Sequence, residues 1–277
     1  MRIVLSLNYK YFEISPFEIF TTIKENDYLN AIKGVEIGLG LSSYLESDMD
    51  YIMEMAKICK EYNLIFNLHA PTLDSITNFK AYLDYADTLQ KIYGRQINIV
   101  VHSINKDYHD NSVRLTDEYL GSILEYIQQR NYNLSISVEN LNIMGGKKRL
   151  IREDLLTILN KYPDLKFTYD VGHEMIDHIK FVELSDIINY KINNVHIHSY
   201  KDGTDHHPLG VDEDVESIQE FIKKLNTISY KGPIVLEYAF EHIEGNDIKE
   251  KIVNYIKKAC ELQMIIKINE NKVFIEE

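Results

Sequence analysis

The chain has 277 residues, 45% of them hydrophobic, and 43 acidic against 30 basic side chains give a net charge of −13. That length suits one large α/β barrel, which typically needs about 250 residues, and the apolar share is ample for a core. The acidic balance gives no general attraction to phosphate backbones, and no uninterrupted apolar window of about 18 residues suggests a membrane span.

The opening run MRIVLSLNY alternates like a first strand over 2–8 and lacks the long apolar region of a signal peptide, so the cytoplasm is the expected location. A helix-like stretch at 16–32 leads to a second strand-like run at 34–39. No glycine-rich phosphate loop follows residue 8, and GLGL at 38–41 is too short to be one, which argues against an open doubly wound sheet. The next helix-like run, 47–62, carries Cys59. The third strand-like run, NLIFNLHAP, places His69 at the end of a strand over 64–69, before a helix at 76–93. INIVVHS likewise ends a strand over 97–102 on His102. The helix at 113–131 shows the helical period plainly, with Leu115, Tyr119, Ile123, Leu124, Tyr126 and Ile127 on one broad stripe.

LSISVENL ends a strand over 134–139 on Glu139, with Asn140 next; the basic run Gly145-Gly146-Lys147-Lys148-Arg149 and a helix at 151–161 follow. LKFTYDVGH predicts a strand over 165–170 ending on Asp170, with Gly172 read as permitting a sharp turn before His173. After a helix at 182–190, NNVHIHSYKDGTDHHPLG gives a strand over 193–198. There His196 and His198 are two apart and face one side. Asp202, Asp205, His206 and His207 crowd the loop beyond it. A helix at 214–228 precedes PIVLEY, whose strand over 233–237 ends on Glu237. A last helix at 246–262 carries Cys260, and Cys59 and Cys260 both read as small buried hydrophobes rather than a disulfide pair. The tail near 263–277, with Asn269-Glu270-Asn271 between two apolar runs, predicts a short hairpin that could instead pair between subunits of a homodimer. His109, His178 and His242 read as surface residues.

Eight β-α units without a linker, and strands that are nearly continuously apolar, predict a single (β/α)8 barrel spanning residues 1–277. His69, His102, Glu139, Asp170, His173, His196, His198 and Glu237 then stand at or just past the carboxyl ends of successive strands, which converge on one mouth. An ionised carboxylate ending an apolar run needs a cation, a donor or water. Imidazole and carboxylate together describe a divalent-metal site, suited to zinc or manganese and also to cobalt or iron; magnesium completes the expected range.

The ordered set His69-Ala70-Pro71, Val101-His102-Ser103, Val138-Glu139-Asn140, Asp170-Val171-Gly172-His173, Val195-His196-Ile197-His198, His206-His207-Pro208-Leu209-Gly210 and Leu236-Glu237 resembles the endonuclease IV and xylose-isomerase-like superfamily of metal-dependent TIM barrels, including its sugar phosphate isomerase/epimerase branch. The resemblance implies Glu139, Asp170, His196 and Glu237 as central metal ligands, His69 and His102 holding a second ion with Glu139, and His173 with an Asp and a loop His holding a third, hence one to three ions per chain. The chain departs from the pattern at the third ion: His206 stands where the loop His belongs, but Thr204 occupies the Asp position. A one-residue shift gives Asp205 and His207 instead. Thr72 replaces the aromatic typical of the DNA-repair members.

Two activities follow from the resemblance. The first is a sugar or sugar-phosphate isomerase or epimerase, with Glu139 and Glu237 moving a proton, His173 acting on oxygens, and His198, Lys201 and Asn140 contacting substrate. The second is a zinc-dependent abasic-site endonuclease, with nucleic acid as partner. Its Lys/Arg support is confined to the 145–149 run, Lys106 and Lys201, so the acidic chain and Thr72 favour the first.

Overall fold

The computed structural model describes residues 1–38, 48–71, 79–104, 109–141, 150, 152–176, 191–210 and 212–273. Strands Arg2–Asn8 (β1), Ile32–Gly38 (β2), Ile65–His69 (β3), Ile97–His102 (β4), Leu134–Glu139 (β5), Lys166–Asp170 (β6) and Ile192–Ile197 (β7) belong to the barrel. Ser199–Lys201 (β8) and Thr204–His207 (β9) form a separate hairpin, and Pro233–Leu236 (β10) is the eighth barrel strand. All eight barrel strands pair in parallel and close in the order β1-β10-β7-β6-β5-β4-β3-β2, as the alternation of elements predicts.

Helices Pro16–Asn26 (α1), Met49–Glu61 (α2), Phe79–Tyr93 (α3), His109–Arg130 (α4), Arg152–Lys161 (α5), Val171–Ile176 (α6), Asp212–Thr227 (α7) and Ile248–Val273 (α8) alternate with the strands. The first starts where its sequence says it should: Ser15 and Glu18 form a reciprocal capping box with Pro16 at the first helical position. It ends sooner than the predicted 16–32. Asp27 accepts the Ala31 and Ile32 backbone N–H groups at 2.8 Å each and turns the chain directly into β2. The helices press an apolar layer on the sheet, including Ile52, Met55 and Cys59 of α2, Phe221 and Leu225 of α7, and Ile256 and Cys260 of α8. Both cysteines are buried and free.

Among the described residues the predicted terminal hairpin is not formed. Helix α8 runs on to Val273, and residues 274–277 lie outside the described residues. Leu262, Ile266 and Asn269 continue one buried stripe at helical spacing, so burial of that face overrides the turn preference of Asn-Glu-Asn. The helix expected at 182–190, Thr72, Lys106, His178 and the 145–149 run also lie outside the described residues.

The barrel interior is polar below its mouth. Asn98 donates to Ser137 Oγ at 2.9 Å, Thr168 donates to the same oxygen at 2.7 Å, and Asn193 donates to Asn98 Oδ1 at 2.9 Å. The buried Asn98, Ser137 and Thr168 side chains satisfy one another, as buried polar groups must, and the half-buried Asn193 closes the chain of bonds. At the closing seam Tyr255 of α8 accepts the Ser6 N–H at 3.2 Å and donates to the Leu236 carbonyl, tying β1 to β10. No helix among the described residues is long and apolar enough to cross a membrane.

Candidate metal centre

Glu139, Asp170, His196 and Glu237 meet at the mouth with ligand atoms within 4.8 Å of one another. They come from the carboxyl ends of β5, β6, β7 and β10, and the register pairs Glu139 with Thr168 and Asp170 with His196 across neighbouring strands. His196 Nδ1 lies 2.9 Å from Glu139 Oε1 and 2.9 Å from Glu237 Oε2. Burial alone would raise the pKa of both glutamates, but His196 beside them holds each well below the usual carboxylate range. Burial likewise opposes a charge on His196, while Glu237, Glu36 and Glu139 raise its pKa well above the ordinary value.

A second group adjoins the first. His102 Nε2 lies 2.9 Å from Glu139 Oε2, and His69 Nε2 lies 3.4 Å from the same oxygen and 2.9 Å from His102 Nε2. Burial disfavours the charged form of His69, yet Glu237 and Glu36 raise its pKa to about 10. The third group is His173, His198 and His206. His198 Nε2 is 3.3 Å from Asp170 Oδ1, and Asp170 outweighs desolvation to raise the His198 pKa to about 9. His206 has φ 58, a conformation uncommon outside glycine, and its N–H donates to His198 Nδ1 at 3.1 Å.

The loop before Pro208 is the β8–β9 hairpin, turned at Asp202 (φ 55) and Gly203 (φ 85), the positive pair that an Asp-Gly hairpin turn requires. The hairpin decides between the two histidines. His206 points to the centre, whereas His207 Nε2 is 2.7 Å from Thr204 Oγ1 and its ring stacks on His242 with centroids 3.5 Å apart. The expectation of His207 as a ligand is therefore corrected, because alternation along β9 turns its ring away. His242 is half-buried in that stack rather than a surface residue. Asp205 sits at the edge, 3.9 Å from His206 Nε2, and among the described residues is in none of the ligand groups. Lys201 is exposed and, with His207 and His242, lines a separate cavity of about 660 Å³ beside the hairpin, so its substrate role is not supported by position.

Asn140 braces the centre. Its side chain donates to the Asp170 carbonyl at 2.9 Å and accepts the Asp170 N–H at 2.8 Å, while its own carbonyl lies 2.9 Å from His173 Nδ1. Gly172 makes no sharp turn: it lies in α6 without a positive φ, and a Cβ there would sit 2.4 Å from the His198 ring. The residue that sequence reasoning missed is Glu36 on β2. It is fully buried, with Oε1 2.9 Å from His196 Nε2 and 3.6 Å from His69 Nδ1. Desolvation opposes its charge, but His196 and His69 hold its pKa down to about 2. The signal was present in Gly34-Val35-Glu36-Ile37-Gly38, a lone acid inside an apolar strand.

The donor set fits a divalent cation. Among the described residues Glu139 Oε2, Glu237 Oε2, Asp170 Oδ2 and His198 Nε2 are buried and make no well-directed hydrogen bond, a cost that a bound ion removes, although a ring nitrogen stands 2.9 Å from each of the two glutamate oxygens. Three carboxylates and one imidazole nitrogen in the central set suit zinc or manganese.

A family model described as xylose isomerase-like TIM barrel matches residues 23–259. No curated protein is a significant match. Among solved structures, a D-tagatose 3-epimerase-like protein superposes with a TM-score of 0.68 at 21% identity, covering 99% of this chain and 100% of that one. An L-ribulose 3-epimerase does so with a TM-score of 0.65 at 12% identity, covering 99% and 97%. A D-psicose 3-epimerase with D-tagatose from Clostridium cellulolyticum H10 gives a TM-score of 0.64 at 15% identity, covering 96% and 99%. At these identities the likeness is one of fold.

Proposed function

Because the chain belongs to the xylose isomerase-like TIM barrel family, we propose that it is a divalent-metal-dependent isomerase or epimerase of a sugar or sugar phosphate. The observation that carries this reading is the pair Glu139 and Glu237, which approach His196 Nδ1 at 2.9 Å each from strands on opposite sides of β6 and β7. The epimerase names of the superposed structures support it. A divalent ion held by Glu139, Asp170, His196 and Glu237 supplies electrophilic polarisation of adjacent carbonyl and hydroxyl oxygens, which acidifies the C–H between them.

The protein's own groups do the rest. Glu139 and Glu237 reach the centre from β5 and from the end of β10, so one removes the substrate proton and the other returns it. Asn140 holds the Asp170 backbone from both sides, and its carbonyl takes the His173 Nδ1 proton, leaving Nε2 of that ring to accept from a substrate hydroxyl. Burial of Glu139, Asp170, His196 and His198 keeps water from the proton in transit.

The test is solvent exchange. Ion-loaded protein incubated in D2O with a panel of ketoses, aldoses and their phosphates should place deuterium on the carbon next to the carbonyl of its substrate. E139Q and E237Q should each abolish that incorporation. Failure of every sugar to exchange refutes the reading.

One observation favours a second reading, metal-dependent phosphodiester hydrolysis of nucleic acid: the groups His69–His102–Glu139 and His173–His198–His206 offer places for two further ions. Elemental analysis separates the two. One ion per chain supports proton transfer at a sugar; two or three zinc ions, with cleavage of abasic DNA, support hydrolysis.

A further inference from the structure

Glu36 belongs to no role assigned so far. Its carboxylate is fully buried under the centre, on the side of His196 opposite Glu139 and Glu237. Oε1 lies 2.9 Å from His196 Nε2, and Oε2 accepts from Asn194 Nδ2 at 2.8 Å. The ring is thus addressed at both nitrogens: Nδ1 by the central carboxylates and Nε2 by Glu36.

Only one ring nitrogen can carry a proton once the other holds an ion, so the partner of Nε2 decides which nitrogen is free to bind. Asn194 Nδ2 also lies 3.1 Å from Nε2 and could donate to a bare nitrogen. A bare Nε2, however, would set a lone pair against a buried carboxylate oxygen at 2.9 Å. The carboxylate is the stronger and closer partner, so the proton belongs on Nε2. Asn194, itself fully buried on β7, then holds the far oxygen of Glu36 and fixes the carboxylate plane. Glu36 also lies 3.6 Å from His69 Nδ1, but that nitrogen is nearer to Glu237 Oε1, at 3.2 Å, so His196 is the ring that Glu36 addresses.

Resting on the metal-centre reading above, we infer that Glu36 is a positioning residue that holds the His196 Nε2 proton, and thereby presents Nδ1 as the ligating atom of the centre. Glu36 is not itself a ligand, although Glu36, His69 and His196 together have the spacing of a ligand group. A carboxylate oxygen facing the Nε2 proton at 2.9 Å makes Nδ1 more basic, and Asn194 supplies the clamp.

The experiment is a cobalt(II) titration of the ion-free, full-length protein with a competing chelator, read by visible absorption, for wild type, E36A and E36Q. E36A should bind its first Co2+ about 10- to 100-fold more weakly, with the number of ions unchanged. E36Q keeps an acceptor for Nε2–H but loses the charge, and should weaken binding by about threefold or more; it decides the matter if E36A does not fold by circular dichroism. In the Zn2+-loaded wild type, long-range 1H–15N NMR should find the His196 proton on Nε2. Unchanged affinity in the variants, outright loss of one ion in E36A, or a proton on Nδ1 would each overturn the inference. No Co2+ uptake by the wild type would remove the metal centre itself, a different failure from a wild type that binds and variants that bind equally well.

Discussion

Replacing Gly172 by alanine separates two effects of opposite sign. Gly172 lies in α6 with no positive φ, so helix propensity alone makes Gly172→Ala stabilising by about 1 kcal/mol. The new methyl, however, would stand 2.4 Å from His198 Cε1 and 2.5 Å from both ring nitrogens. His198 has no room to retreat. It is fully buried, with His206 and His173 ring centroids at 4.2 and 5.2 Å and Asp170 at 3.3 Å. Relief needs a shift of about 1 Å or more to restore ordinary contact near 3.5 Å, and overpacking of that kind costs about 1–3 kcal/mol. Because the three nearest atoms are all in the enclosed His198 ring, the cost falls in the upper part of that range, about 2–3 kcal/mol, and the net expectation is a loss of about 1–2 kcal/mol, or about 2–6 °C in melting temperature for a chain of this size. Thermal and urea unfolding of the two ion-free proteins provide the measurement. A variant as stable as wild type, or more so, would mean that His198 does not fill the space that the absent side chain leaves.

Three further outcomes are expected. If the His173–His198–His206 group holds an ion, as the hydrolytic reading requires, His206→Ala should lower the number bound at saturation while His207→Ala leaves it unchanged; with one central ion neither variant changes the number, and elemental analysis of both reads it. In the ion-free protein the folded-state pKa of His198 is raised from 6.5 to about 9 and that of His69 to about 10. Their stabilisation is therefore complete below pH 6.5 and lost as pH rises through 9 to 10, of order 3 kcal/mol for His198 alone. Denaturation midpoints between pH 7 and 10.5 should fall accordingly, and a flat profile would contradict it. Tyr255→Phe should destabilise by about 1–2 kcal/mol in urea, because it strips the buried Leu236 carbonyl of its side-chain donor at the seam.

Much of the barrel was readable because its strands are short apolar runs that end in ionisable residues, and β1, β4 and β5 fall where alternation and composition put them. Helix ends were less readable. Asp27 stops α1 through its side chain, a local bond that periodicity does not encode. The end of α8 follows a tertiary face that outlasts the turn-like Asn-Glu-Asn. Within the centre, residues at strand ends announced themselves by position, whereas Glu36 sits in mid-strand and reaches the site only because the closed barrel brings β2 opposite β7. The choice of His206 over His207 depended on the Asp202-Gly203 turn, which sets which face of β9 looks inward.

The seam between β1 and β10 has a consequence for the order of events during synthesis. Glu237 directly follows β10, the strand that hydrogen-bonds to β1 on one side and to β7 on the other. A growing chain therefore carries Glu139, Asp170 and His196 for some time before the cage that joins them has its last wall. A cation that entered afterwards would bind a finished ring and stabilise it against reopening, by an amount that grows with the logarithm of its concentration over its dissociation constant. Such an ion would work as a latch on the final strand, and the step it would guard is the parting of β10 from its neighbours.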